Sequence, residues 1–325
     1  MPGRRNPRET VTGPVSTGLD VVVCTYDNAR SLDRTLAALA AQRGADAVDW
    51  AVTVVDNNST DDTPAVAAGH GVRVVREPRQ GLTPARVRGV MATGRDWVAF
   101  VDDDCVVAPD WIAQAARISA THPEAGAFGG VVEIDWQGPV PRHAGRYGWA
   151  YARQDHGPDA VAVPFLVGAG MVVRRSAIEE TGWLERQLLA DRIGRRLVSG
   201  GDVEIALRLA ARHELWFDPG LRLRHAIDPH RGEPRHLARL VYGLGTSQLL
   251  GDTLTWPGSY PRWLALSLRR AAPHAREALR AAARGRKADG ALSACFLAGY
   301  LAGVAKLALA GADRRRDLLG AARPS

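Results

Sequence analysis

Over its first third the chain alternates short, unbroken apolar runs with stretches in which apolar residues recur every three or four positions. Residues 20–24, 52–55, 72–75 and 97–101 are runs rich in valine, each bounded by polar or glycine-containing segments. They predict strands. Leu32, Leu36 and Leu39 predict a helix after the first run, with Ser31 as its N-cap. Ser59-Thr60-Asp61-Asp62 has the form of a capping box. Thr83-Pro84 predicts a helix start with Gly94 as its stop, and Pro109 opens a further helix. Continuous apolar strands alternating with short helices predict an α/β fold, a mainly parallel sheet covered on both faces. Ligands of such sheets sit beyond the carboxyl ends of the strands. Three polar clusters fall there: Thr25-Tyr26-Asp27, Asp56-Asn57 and Asp102-Asp103-Asp104.

The third cluster has the sharpest chemistry. Three adjacent carboxylates at the end of a buried strand repel one another unless a cation sits among them. An Asp-x-Asp spacing of hard oxygen donors suits Mg²⁺ or Mn²⁺ shared with a nucleotide's phosphates. A solvated acidic turn is the alternative. Asp56 can accept hydrogen bonds from a base or ribose, or cap a turn. Arg86, near the start of a predicted helix, suits a diphosphate, or is a surface residue. The first strand is not followed by Gly-x-Gly-x-x-Gly, and the chain has no Gly-x-x-x-x-Gly-Lys-Ser/Thr. Dinucleotide oxidoreductases and P-loop kinases are thereby disfavoured.

Composition adds less. The 325 residues are 46% hydrophobic, enough for a large core. Cys24, Cys105 and Cys295 are scattered, without metal-ligand spacing, which points to a reducing, cytoplasmic setting. Met1-Pro-Gly-Arg-Arg is not followed by an apolar h-region, so residues 1–18 read as a disordered leader and not a secretory signal. The formal charge is 42 − 35 = +7, and arginines are frequent in the last third. That suggests an anionic partner such as a membrane surface, a phosphorylated lipid or nucleic acid, or only an arginine-rich composition. Residues 291–310 form a long apolar stretch containing only Lys306 as a charge and a Gly299-x-x-x-Gly303 pair. It reaches the ~20 residues that span a bilayer, yet its alanines and glycines suit a packed or interfacial helix equally.

Four segments, taken together, are more specific than any alone. Val22-Val23-Cys24-Thr25-Tyr26, Val54-Val55-Asp56-Asn57-Asn58-Ser59-Thr60-Asp61, Gly81-Leu82-Thr83-Pro84-Ala85-Arg86 and Phe100-Val101-Asp102-Asp103-Asp104 resemble, in order and spacing, the signatures of the family 2 glycosyltransferases. The resemblance covers roughly residues 19–228. It implies a GT-A, Rossmann-like domain there, followed by a helical C-terminal extension over 229–325. It also implies an inverting transfer from a nucleoside-diphosphate sugar to a saccharide, lipid-linked or small-molecule acceptor, without nucleic acid as partner. By the same resemblance Thr25, Tyr26, Asp56, Arg86, Asp102 and Asp103 hold the nucleotide sugar. Asp104 and Asp102, with His225 as a further candidate, would bind Mg²⁺ or Mn²⁺. Ser199-Gly200-Gly201-Asp202-Val203-Glu204 resembles the family's Gly-Glu-Asp-x-Glu element, with Gly201 in place of its first Glu. Asp202 would be the general base, at the start of a helix over 203–211 where free amides favour a negative charge. Simple N-capping is the alternative use of Asp202, and Glu204 the next acid to consider as base. Val87 stands where the family often has Asn. Gly168 and Gly170 resemble the family's Gly-rich strand, Trp183 its position below the acceptor, and Phe217-Asp218-Pro219 its closing strand. Family members often act on lipid-linked acceptors, which suggests a cytoplasmic enzyme at the inner face of an anionic membrane. A nucleotidyltransferase-like enzyme and a non-catalytic nucleotide-sugar-binding protein are the rival classes.

Overall fold

The computed structural model describes residues 18–189, 200–256 and 258–322. The leader over residues 1–17 and Ser199 lie outside them.

The front half builds β1 (Leu19–Thr25), α1 (Ala29–Ala40), β2 (Trp50–Asp56), α2 (Thr63–Gly69), β3 (Arg73–Arg76), α3 (Leu82–Met91) and β4 (Trp97–Asp102). Then come β5 (Cys105–Val107), α4 (Trp111–Thr121), β6 (Ala127–Trp136), α5 (Ala144–Tyr147), β7 (Val161–Val163), β8 (Met171–Arg174) and α6 (Arg175–Glu180). The chain continues with α7 (Gly201–Ala210), β9 (Leu215–Ile227), α8 (Pro234–Thr255), α9 (Tyr260–Ala283), α10 (Lys287–Ala308) and α11 (Ala312–Leu318). Among the described residues the strands form one nine-stranded sheet in the order β3-β2-β1-β4-β8-β6-β9-β5, with β7 paired to β9.

The expected parallel arrangement is found in β3-β2-β1-β4, whose pairs are all parallel. Beyond β4 the sheet is mixed: β8 runs antiparallel to both β4 and β6, while β6 and β9 are parallel. Side chains alternate across each strand, so Val21 and Val23 enter one core and Val22 the other. The first core is closed by α1 and α4 through Leu32, Leu36, Leu39, Trp111 and Ile118. The second is closed by α3 and α7 through Val87, Val90, Ile205 and Leu209. Trp183 is fully buried in this second core, so its ring packs on protein and not below an acceptor. Gly89 sets the approach of α3: a Cβ there would lie 2.3 Å from Val22 Cγ1.

Three local expectations are corrected. The first helix begins at Ala29, with Asn28 as N-cap and Ser31 inside. The 59–62 segment is no capping box, because its groups are taken by the β1–α1 loop. Thr60 N donates to Asp27 Oδ1 at 2.6 Å, and Asp61 Oδ2 accepts from Ala29 N at 3.3 Å. The following helix starts at Thr63, with Asp62 at its N-cap and no side-chain cap bond. Gly94 likewise lies past the end of α3, which stops at Met91 with its C-cap at Ala92.

The C-terminal helices pack on one another and, through α8, on α7 and on the ends of β6 and β9. At the crossing of α8 and α10, a Cβ on Gly299 would lie 1.9 Å from Tyr242 O, and one on Gly245 2.2 Å from Phe296 O. The Gly299-x-x-x-Gly303 pair is therefore a close-packing surface within the protein. By length and composition α10 is apolar enough to cross a membrane, with a third of its most apolar window buried.

Candidate functional site

The strand register levels the polar ends of three strands. Thr25 pairs with Asp56 across β1–β2, and Cys24 with Asp102 across β1–β4. Above these ends opens a cleft of about 1740 Å³. Thr25, Tyr26, Arg86, the three acids Asp102–Asp104, Asp202 and His225 all line it. Asp56, the other expected nucleotide contact, is buried at the end of β2, and its Oδ1 accepts from Ser59 N at 3.0 Å.

The three consecutive acids are held differently. Asp103 is pinned from below: Thr25 Oγ1 donates to its Oδ2 at 2.7 Å and Asn28 Nδ2 to its Oδ1 at 2.8 Å. Burial, and then the Asp104 charge, push its carboxyl up to about 7 against these two bonds. Asp102 Oδ1 accepts from Arg86 Nη2 at 3.3 Å. Arg86 is itself buried, with its guanidinium 5.6 Å from the Phe100 ring centroid. Asp104 faces Arg231 Nη1 at 3.0 Å and His225 Nε2 at 3.2 Å.

The antiparallel register Cys105–His225 brings His225 to this point, and Ala226 N donates to Asp104 O at 2.8 Å. His225 Nδ1 lies 2.9 Å from Tyr151 O. A carbonyl only accepts, so Nδ1 carries the hydrogen and Nε2 is aimed at Asp104. Metal-ligating histidines are commonly fixed this way. Asp102, Asp104 and Cys105 also offer ligand atoms within 4.8 Å of one another. Burial first, and then the neighbouring carboxylates, push the Cys105 thiol well up. A protonated thiol is a poor ligand. Two carboxylates and one imidazole are a donor set that fits Mn²⁺ or Mg²⁺ better than a set containing Cys105.

Asp202, which also lines the cleft, lies in the first turn of α7, and its Oδ1 accepts from Val203 N at 2.9 Å. Gly168 is the reason it can approach Arg86: a Cβ at 168 would lie 2.7 Å from Asp202 Cβ and 3.0 Å from Arg86 Nη2. Glu204 is not a second candidate base. It is fully buried, pairs with Arg208 at 2.6 Å, and accepts from Leu188 N and Leu189 N.

Sequence reasoning assigned no role to Asn28, Asn57 and Arg231. Asn57 fixes the entry to α3: its Nδ2 donates to Glu77 O and Arg79 O, and its Oδ1 accepts from Gly81 N at 2.7 Å. Arg231 sits on the turn Pro229–Gly232, where Tyr151 Oη donates to its carbonyl at 2.9 Å. The only hint of it in the sequence is a Pro- and Gly-bounded turn just after an apolar strand.

Comparison with known proteins identifies the family and the fold. The sequence model of glycosyl transferase family 2 matches residues 20–182. An uncharacterized glycosyltransferase of Mycobacterium tuberculosis is 44% identical over 84 residues, 26% of this chain and 35% of that protein. The chain thus aligns with only about a third of that relative's length. The glucosyl-dolichyl phosphate glucuronosyltransferase of Haloferax volcanii is 24% identical over 246 residues, 73% of this chain and 78% of its own. Among solved structures, a mannosyltransferase of Pyrobaculum calidifontis in complex with GDP-Man and Mn²⁺ superposes with a TM-score of 0.58 at 19% identity. It covers 88% of this chain and 86% of that one, a likeness of fold.

Proposed function

The chain belongs to glycosyl transferase family 2, and from that premise we propose that it moves a sugar from a nucleoside-diphosphate sugar to an acceptor hydroxyl, with inversion at the anomeric carbon. One observation carries the reading: a single cleft is lined by Asp102, Asp104 and His225 together with Asp202, at a helix N-terminus. Tyr26, Asp56 and Arg86 hold the nucleotide and its diphosphate, with Thr25 acting through Asp103. Asp102, Asp104 and His225 would hold a Mg²⁺ or Mn²⁺ ion, which when bound would supply Lewis-acid stabilisation of the diphosphate leaving group. The Asp202 carboxylate takes the acceptor's hydroxyl proton as the oxygen bonds to the anomeric carbon. The bond from that carbon to the diphosphate oxygen breaks with its electron pair on the phosphate. No covalent enzyme intermediate is needed, in contrast to retaining glycosidases, where a carboxylate attacks.

The Haloferax relative's name describes action on a lipid-linked sugar, and the mannosyltransferase structure holds a nucleotide sugar with Mn²⁺. These support a nucleotide-sugar donor and a lipid-linked acceptor at a membrane surface. We place the transferase domain at residues 19–228 and the helical extension at 229–325.

A panel of nucleotide sugars, each with and without Mn²⁺, tests the donor by thermal shift, because a ligand that binds only the native state raises Tm. A metal-dependent rise for one donor is expected. Asp104→Asn should abolish it, whereas Asp202→Asn should keep it and lose turnover by at least ~10²-fold, the scale of a general base. A metal-dependent rise undiminished in Asp104→Asn, or turnover near wild type in Asp202→Asn, would remove the corresponding assignment.

A further inference from the structure

Helix α9 carries a pattern that the transferase reading does not use. Arg262, Arg269, Arg276, Arg280 and Arg284, the last at its C-cap, are all exposed. At 100° per residue they fall within an arc of about 80°, one stripe along the whole helix. Beside the stripe lie Leu268 and Leu279, 52% and 71% exposed, with small alanines between. The opposite face is the packed one, through Trp263, Ser267 and Ala271. The only acid within α9, Glu277, is turned to Arg146 at 2.7 Å and Arg286 at 3.7 Å. Neither of these is a member of the stripe.

We propose that α9 lies flat on an anionic lipid surface, with its arginine stripe among the headgroups and Leu268 and Leu279 entering the interface. A stripe of guanidiniums draws the helix to negative lipid within a Debye length. Exposed leucines alongside it add apolar burial in the interface of a bilayer. A nucleic acid would match the arginines but has no place for the two leucines, and for that reason lipid is the favoured partner. This inference rests on the membrane-surface reading above and assigns it to one face of one helix.

Its test needs no sugar transfer. The full chain is sedimented with vesicles of phosphatidylcholine alone and with added phosphatidylglycerol. Binding only to the anionic vesicles, released by salt, is expected. Arg269→Glu/Arg276→Glu/Arg280→Glu should lose it, with roughly a fivefold weakening for each arginine removed. Leu268→Ser/Leu279→Ser should bind more weakly and release at lower salt. These side chains are exposed, so thermal melts of both variants should match wild type. Mn²⁺-dependent donor binding by thermal shift should also be unchanged in them. A wild-type chain left in the supernatant, or a triple variant that pellets as well as wild type, overturns the proposal. So does release only by detergent, which would mark α10 as a span. Duplex RNA binding as tight as the vesicles, and indifferent to the leucine changes, would make α9 a polyanion surface instead. A wild-type chain that binds vesicles but no nucleotide sugar would sink the transferase reading while leaving this one standing.

Discussion

At Asp103 the carboxyl is pushed up to about 7, chiefly by burial and next by the Asp104 charge. In the metal-free protein the folded state therefore holds a proton that the unfolded chain releases near its ordinary value of 3.8. Between these two values the native state binds more protons, so stability falls as pH rises. The contribution is complete below about pH 4 and lost as pH passes about 7, and at ~1.4 kcal/mol per pH unit it amounts to at most about 4 kcal/mol. Urea melts without metal should show wild type losing stability relative to Asp103→Asn steadily across this window. Mn²⁺ at Asp104 would neutralise the second cause and should weaken this pH dependence, while burial remains; in the metal-free protein, a difference independent of pH would show that Asp103 is ionised throughout. The acids 102–104, Arg86 and Asp202 were legible as a family-like spacing. The separate duties of the three acids were not, because they are set by residues distant in sequence. Thr25 reaches Asp103, and Arg231 and His225 reach Asp104.

Helix α7 shows the same division one scale up. Its start and its acids were readable, and Asp202 does lie in its first turn. The spacing of Glu204 and Arg208 is that of an ordinary surface pair, yet both side chains are buried. Arg208 also donates to Thr181 O and Arg186 O at 3.0 Å each, so the pair ties α7 to the loop after α6. Removing one partner of a buried pair leaves the other charge uncompensated and costs about 3–5 kcal/mol. Arg208→Ala should fall in that range by denaturant melting. Asp202→Asn, at the edge of the cleft, should lie within about 1 kcal/mol of wild type. An Arg208→Ala variant as stable as wild type would mean that the pair is solvated. The helix starts were less legible than the helix bodies. Ser31 and the 59–62 segment carry good local capping chemistry, but the loops after β1 and β2 bond to each other instead.

For the whole molecule, the valine-rich runs of β1, β2, β3 and β4 announced their parallel half of the sheet. The second half did not announce itself, because β7 and β8 are three and four residues long. Their antiparallel pairing comes from contacts, not from periodicity. The C-terminal helices looked separable after about residue 229, and the packing argues otherwise. Leu237, Leu240 and Val241 of α8 share a buried cluster with Tyr147, Tyr151 and Ile227 of the sheet side. Arg231, on the turn that joins β9 to α8, is the partner of Asp104, and Tyr151 Oη bonds its carbonyl. Residues of α8, among them His236, Arg239 and Tyr242, also wall the cleft. A chain ending at Pro229 would bare that cluster to water, at ~1.5–3 kcal/mol for each large apolar side chain exposed, and would take away the arginine. Such a fragment should melt well below the full chain and bind a hydrophobic dye. Its Mn²⁺-dependent donor shift should be lost even when the full chain shows one. A fragment that folds with the full chain's melting temperature and keeps the donor shift would establish residues 19–228 as an independent catalytic unit, with the helices as an appendage.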